Sequence, residues 1–185
     1  MTASVLVTGF EPFGKHEVNP SQLIAEELDG IVLPVSYGRA AHELRWTLDE
    51  RDPEIVIAFG LADEREAITP ERFAHNLDEA DTTDNDDVAG SGMEIEAAGP
   101  LAYRSTLPVD EIVAALRSRD LPASVSRDAG GYLCNHTFYV LMHTLKPGRM
   151  GGFVHVPPLQ VLPRERLAEA ARVIVETCVQ HRSGS

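Results

Sequence analysis

The stretch EIVIAFG, Glu54 to Gly60, is a short run of apolar and β-branched residues that ends at a glycine. Such a run is typical of a strand buried within a sheet. The segment before it, Gly38 to Glu50, spaces Ala41, Leu44 and Leu48 three and four residues apart, as an amphipathic helix does. A helix that leads into a buried strand is the repeating unit of an α/β fold.

The same alternation continues on both sides of this strand. Val5 to Gly9 predicts a first strand, and Asn19 followed by Pro20 predicts a helix that runs to about Leu28. The remaining predicted elements are a short strand at 31–35, helices near 109–119, 134–145 and 164–180, and strands near 123–126 and 152–156. The sequence therefore predicts a single domain, residues 1–185, folded as a three-layer α/β/α sandwich around a mostly parallel twisted sheet.

One long segment interrupts the pattern. Asp78 to Gly92 is acidic, contains glycine and has no clear hydrophobic period. These properties predict a long surface loop that either carries function or moves.

The composition limits which partners and which cellular compartment we expect. The 185 residues include 16 Lys and Arg against 29 Asp and Glu, a net charge of −13, which disfavours binding to nucleic acid or an anionic membrane. The N-terminal MTASVLVTGF lacks the basic flank and cleavage site of a signal peptide, and no apolar stretch approaches the ~20 residues that span a bilayer. Two cysteines without metal-ligand spacing predict no disulfide framework, metal or cofactor, so we expect a cytoplasmic protein.

A thiol and an imidazole are the strongest chemical signal. Cys134 lies where two glycines lead into a helix, and the unpaired N–H groups of a helix start are expected to stabilise its thiolate. His155 lies near the end of the next predicted strand. Because loops at the carboxyl ends of parallel strands gather at one edge of a sheet, we expect both side chains there. Together they form a candidate nucleophile and base.

Each of these residues also has an ordinary interpretation. Free cysteine is among the most buried residue types, and a histidine on an apolar strand is usually a core residue. A triad needs a carboxylate to orient the imidazole, but the chain offers many. Glu71 is one candidate, because it lies just downstream of the Glu54 to Gly60 strand among mixed apolar and charged residues.

Four ordered blocks of sequence resemble one known family. They are VTGFEPFG with Asn19, the segment Arg65 to Asn76, SRDAGGYLCNHTFY at Ser126 to Tyr139, and FVHVPP at Phe153 to Pro158. Together they resemble pyroglutamyl-peptidase I, a family of cysteine peptidases. The resemblance implies an enzyme that removes N-terminal pyroglutamate from peptides through a thioester, with a triad that falls on Cys134, His155 and Glu71.

The resemblance also implies a pocket for the lactam ring. Its apolar walls fall on Phe10 and Phe13, with Tyr132 and Leu133 beside the thiol and Leu61 at the end of the Glu54 to Gly60 strand. Asn19 matches a family position that hydrogen-bonds the ring. Pairing the single N–H and C=O of the lactam is expected to decide specificity, because an unpaired buried dipole costs roughly 1 to 3 kcal/mol.

Two alternative functions remain open. Where the family has a basic residue that is thought to help the oxyanion, this chain has Asp81, so a non-catalytic pyroglutamate-binding relative is one alternative. Another cysteine amidohydrolase of small amides is the second.

The resemblance further implies a homo-oligomer, a dimer or tetramer, and the apolar face of the last predicted helix is a candidate for subunit contacts. That face comprises Leu167, Ala171, Ile174, Val175 and Cys178.

Overall fold

A computed structural model describes residues 3–90 and 92–184 of the chain. The strands are β1 Val5–Phe10, β2 Ile31–Leu33, β3 Ile55–Leu61, β4 Thr69–Pro70, β5 Phe73–His75, β6 Ala102–Arg104 and β7 Met150–Val156. The helices are α1 Pro20–Glu27, α2 Tyr37–Arg51, α3 Val109–Arg117, α4 Leu133–Thr144 and α5 Arg164–Gly184. None of the described helices is both long and apolar enough to cross a bilayer.

The main sheet has the order β2-β1-β3-β7-β4. The first four of these strands run parallel to their neighbours, and only the two-residue β4 is antiparallel, against β7. The strands β5 and β6 form a separate antiparallel pair. The predicted, mostly parallel sheet is therefore confirmed, with β3 at its centre.

Helices cover both faces of the sheet. Along β3, Ile55, Ile57 and Phe59 point into one core, which they share with residues of α1, α3 and α5. The alternating residues Val56 and Ala58 point into a second core, which is shared with α2 and α4. This alternation is the two-residue period of a strand that is buried on both sides. It confirms the three-layer α/β/α architecture.

The predicted strand at 123–126 is wrong as a continuous element. Its residues run parallel to the β4 segment but make only two isolated bridges, Ile68 with Ala123 and Glu71 with Ser126. Between these bridges, the ladder would need an amide hydrogen from Pro70. Proline has none, so the pairing is interrupted at that position, although Ser126 N still donates to Pro70 O at 3.0 Å.

The apolar face of α5 does not remain available for subunit contacts. Leu167, Ala171, Ile174 and Cys178 are all at least 99 % buried and belong to the core shared with α3 and the sheet. The expectation that this face contacts another subunit is therefore wrong for these four residues, and the fifth, Val175, is partly buried against the same core. Burying it against the sheet is what places α5 in the outer layer of the domain.

Candidate active site

Gly60 is the point at which a helix and two strands converge. In the register of the sheet, Gly60 of β3 lies opposite His155 of β7. A Cβ atom at Gly60 would lie 2.9 Å from Cys134 Sγ and 2.6 Å from the Phe153 ring, so the thiol rests over the glycine backbone. Phe153 and His155 lie two positions apart on β7 with ring centroids 4.9 Å apart. The thiol and the imidazole therefore approach the same spot, one from α4 and one from β7.

Because Gly60 leaves this space open, Gly60→Ala is expected to displace the thiol. A contact of 2.9 Å is shorter than real Cβ atoms tolerate, and a shift of about 1 Å at a reacting group costs roughly 10²-fold in rate. We expect kcat of Gly60→Ala to fall by that order. The matched control is Gly38→Ala, where a Cβ would meet no atom within 4 Å. An active Gly60→Ala variant would contradict this placement of Cys134.

A buried carboxylate orients the imidazole. His155 Nδ1 lies 2.7 Å from Glu71 Oε1, and Glu71 is completely buried. The backbone places it, because Glu71 N donates to Phe153 O at 2.8 Å. A carboxylate only accepts hydrogen bonds, so a neutral His155 must carry its proton on Nδ1. Nε2 then presents a lone pair and can accept the proton of a thiol.

The protein surroundings favour neutral forms of both groups at rest. Burial raises the pKa of the Cys134 thiol to about 12, with Glu71 adding to the shift and Arg65 opposing it. Burial also lowers the pKa of His155, although the hydrogen bond that His155 donates to Glu71 acts in the opposite direction. The site therefore favours a resting thiol at Cys134 rather than the predicted thiolate, because the cost of desolvating the thiolate outweighs its stabilisation by the helix end. The proton of the thiol has to move to His155 when attack begins.

The start of α4 supplies donors for a developing negative charge. The first backbone donor of the helix is His136 N, which bonds Tyr132 O at 3.1 Å, and Tyr132 makes no side-chain cap. Within the described chain, the N–H groups of Leu133, Cys134 and Asn135 thus precede the intrahelical ladder. Such groups are suited to hold an oxyanion formed beside Sγ.

Asn135 is a site residue that the sequence analysis missed. Its side chain is fully buried, accepts from His75 N at 2.8 Å and donates to His75 O and Leu77 O, each at 2.9 Å. These three bonds fix the start of α4 against β5, and so they fix the position of Cys134. Its place directly after the candidate nucleophile was the only signal in the sequence.

Two of the predicted pocket residues form an aromatic wall, because the Phe13 ring lies 6.5 Å from that of Tyr132. Phe10 is 3 % exposed and packs in the core, with its ring 6.5 Å from that of Phe153. The Tyr132 hydroxyl donates to Thr83 O at 3.0 Å, which joins the wall to the acidic loop at Asp78 to Gly92. Leu133 is 2 % exposed and packs in the α4 core.

The other two predicted pocket residues, Leu61 and Asn19, make different contacts. Leu61 follows Gly60, so its side chain points to the opposite face of the sheet, where it lines a groove of about 370 Å³ with Lys15, His16 and Pro158. Asn19 is fully buried and caps α1, with its Oδ1 accepting from both Ser21 N and Ser21 Oγ. Its Nδ2 donates one hydrogen bond to Glu11 O at 3.1 Å.

The acidic loop has a buried anchor. Asp84 is 5 % exposed and accepts from the backbone N–H groups of Tyr37, Asp86 and Val88. Burial alone would raise the pKa of Asp84, but these three donors lower it overall. Asp81, which stands where the resembled family has a basic residue, is exposed. The prediction of a surface loop therefore holds for Asp81 but not for Asp84.

Arg65 is the second missed residue, because in the sequence it was only the start of the block Arg65 to Asn76 and had no role of its own. One guanidinium nitrogen donates to Glu71 Oε1 at 2.6 Å and also contacts Thr69 Oγ1. The other terminal nitrogen donates to Asp128 O at 2.9 Å. The pattern of residues gave no signal that one side chain would join these three.

Comparisons with known proteins agree across nearly the whole chain. A sequence model of the family described as pyroglutamyl peptidase matches residues 3–180. The pyrrolidone-carboxylate peptidase of Pyrococcus furiosus is 39% identical over 203 residues, covering 95% of this chain and 98% of that protein. The protein of the same name from Bacillus licheniformis is 40% identical over 191 residues, covering 95% and 89%.

Solved structures show the same similarity. The pyrrolidone carboxyl peptidase of Thermococcus litoralis superposes with a TM-score of 0.93 at 38% identity, covering 98% of this chain and 96% of that one. Pyroglutamyl peptidase I of Bacillus amyloliquefaciens gives a TM-score of 0.91 at 34% identity, covering 97% and 98%. The likeness therefore includes the fold as well as the sequence.

Proposed function

The chain belongs to the pyroglutamyl peptidase family, and from this membership we propose that Cys134, His155 and Glu71 perform its removal of N-terminal pyroglutamate from peptides. The observation that carries the proposal is that Cys134 and His155 meet at Gly60. Cys134 Sγ lies against Gly60, and His155 of β7 is the partner of Gly60 in the register of the sheet. The Nδ1 atom of His155 is bonded to Glu71. This is the relation of nucleophile, base and orienting carboxylate that acyl transfer needs.

The reaction follows from the protonation states of the site. His155 Nε2 takes the thiol proton as Sγ attacks the carbonyl carbon that joins pyroglutamate to the next residue. The oxyanion is held by N–H groups at the start of α4. The imidazolium then protonates the departing amine, which leaves a thioester on Cys134. Water, deprotonated by His155, hydrolyses the thioester and releases free pyroglutamate and the thiol.

Substrate selection follows from the shape and polarity of the ring. A pyroglutamyl end carries no free amine, so a charged subsite has nothing to pair with. Phe13 and Tyr132 offer an apolar wall for the ring, and Asn19, at the position that hydrogen-bonds the ring in the family, is assigned to the lactam carbonyl. A site built for such polar pairing discriminates against analogues that lack it by on the order of 10⁴-fold.

Matched anilide reporters test this function. We expect release of the anilide from the pyroglutamyl reporter under reducing conditions and negligible release from prolyl and glutaminyl reporters. The prolyl ring lacks the lactam carbonyl, and the glutaminyl chain is open. Binding of pyroglutamate without turnover would instead indicate a non-catalytic relative, and faster release from the glutaminyl reporter would indicate another amidohydrolase. Either result would overturn the proposal.

The setting is proposed with the function. We propose a cytoplasmic homo-oligomer, a dimer or tetramer, that acts on pyroglutamylated peptides rather than on nucleic acid or membranes. The net charge of −13 supports the exclusion of nucleic acid and anionic membranes. The unpaired Cys134 and Cys178 fit a reducing compartment.

The rate is expected to fall in acid. His155 works as a base only when it is neutral, and burial lowers its pKa. Activity should therefore persist as the pH falls to about 6.5, the ordinary imidazole value, and should disappear below it as His155 takes up a proton. The check is a profile of kcat/KM against pH with the pyroglutamyl reporter. A rate that stays constant from neutral pH far into the acid range would contradict a histidine base.

A further inference from the structure

We propose that Arg65 is a positioning residue that holds the Glu71 carboxylate against His155 and ties this carboxylate to the loop in front of the nucleophile helix. The inference rests on the proposed function, because it assigns a role in that same reaction. Arg65 would touch neither substrate nor the reacting atoms. It acts through Glu71, and its contribution has to appear in the behaviour of His155.

Burying the charged Glu71 side chain has to be compensated by bonds within the protein. The carboxylate is completely buried, and Oε2 has no hydrogen-bond partner in the described part of the protein. All of its compensation therefore comes through Oε1, which accepts from Arg65 at 2.6 Å and from His155 at 2.7 Å. At rest His155 is neutral, so Arg65 is the cation that balances the charge. Without Arg65, this buried carboxylate would have no charged partner at rest.

Arg65 lies between two segments of the chain and bonds both of them. One terminal nitrogen contacts Thr69 in β4 as well as Glu71. The other donates to Asp128 O at 2.9 Å, six residues before Cys134 in the chain. The guanidinium thus joins the strand segment that carries the orienting carboxylate to the loop that leads into α4. A planar, forked donor suits such a task, and a lysine ammonium does not reproduce it.

The consequence for His155 follows from the position of the Glu71 carboxylate. A carboxylate that Arg65 no longer holds can turn away from Nδ1, and the imidazole proton is then not fixed at that atom. An imidazole that carries its proton on Nε2 cannot accept the thiol proton. Besides Arg65, the charged and titratable groups that face this pair are Cys134, which Glu71 influences, and Asp128, which influences His155. None of these replaces the lost cation.

The test compares Arg65→Met and Arg65→Lys with a matched control. Arg72→Met removes a similarly buried arginine of the same segment, whose partner is the exposed Asp110 at 2.7 Å. For Arg65→Met we expect kcat at neutral pH to fall by on the order of 10²-fold with KM little changed. We also expect the acid limb of the profile to move to higher pH, because the charge of Arg65 is one of the causes that lower the pKa of His155. Arg65→Lys should restore the limb but not the full rate, and Arg72→Met should resemble the wild type.

A double-mutant cycle with Glu71→Gln separates positioning from general damage. If Arg65 acts through Glu71, Arg65→Met should add little to the loss of kcat in the Glu71→Gln background. Fully additive losses would overturn the inference, as would a fall in kcat with an unmoved acid limb. Failure of the proposed function looks different, because the wild type itself would then not turn over the pyroglutamyl reporter.

Discussion

Replacing Cys134 by alanine is expected to abolish release from the pyroglutamyl reporter, with kcat reduced by on the order of 10⁴-fold or more. Without Sγ, no thioester forms, and the remaining groups offer only oriented binding and the oxyanion donors. The fold should persist, because Cys134 is only partly buried against the core shared with α2 and α4. The measurement is single-turnover kinetics, with circular dichroism to verify folding.

Cys178→Ala is the control for this loss. Cys178 is completely buried in the core under α5, far from any role in the reaction, and burial raises the pKa of its thiol to about 12. We expect this variant to lose some thermal stability but to retain kcat, and we expect an alkylating reagent to modify only Cys134 in the active protein. Substantial turnover by Cys134→Ala, or inactivation that tracks modification of Cys178, would refute the assignment of the nucleophile.

His155→Ala is expected to lower kcat by roughly 10² to 10⁴-fold, the contribution of a positioned general base. The reason is the resting state of the site. Burial holds the Cys134 thiol protonated at neutral pH, so without an acceptor at Nε2 the nucleophile is not formed. KM should change little, because the imidazole does not form the aromatic wall.

Two comparisons make the His155 result specific. His42→Ala removes an exposed histidine of α2 and should leave the rate unchanged. The rate of His155→Ala should also rise with pH as hydroxide ionises the thiol, whereas the wild type is level above its acid limb. A His155→Ala variant with nearly normal kcat at neutral pH would mean that another group ionises Cys134.

The fold was predictable to a large extent because its signals are local. Glu54 to Gly60 is apolar on both faces, which only a central strand satisfies, and Asn19 before Pro20 marked the start of α1 correctly. The strand at 123–126 failed because its pairing depends on Pro70, which lies over fifty residues earlier in the chain. The apolar face of α5 was identified, but a periodic pattern does not say whether the sheet or another subunit covers it.

The site was predictable in part, and the limits have physical causes. Among 29 acidic residues, only the resemblance singled out Glu71, because burial and a contact with His155 are properties of the folded chain. Arg65 and Asn135 escaped notice for the same reason, since each bonds segments that are distant in sequence. The local argument from the helix end favoured a resting thiolate at Cys134, but desolvation by the surrounding core acts more strongly.

Binding of a pyroglutamyl aldehyde labelled with carbon-13 at the aldehyde tests most directly whether the sulfur of Cys134 meets the substrate carbonyl in this pocket. Such an aldehyde mimics the tetrahedral intermediate when a thiol adds to it. We predict a hemithioacetal resonance in the wild-type protein that is absent in Cys134→Ala and retained in Cys178→Ala. A wild-type protein that hydrolyses the reporter yet leaves the aldehyde free, or a resonance that survives in Cys134→Ala, would contradict the account.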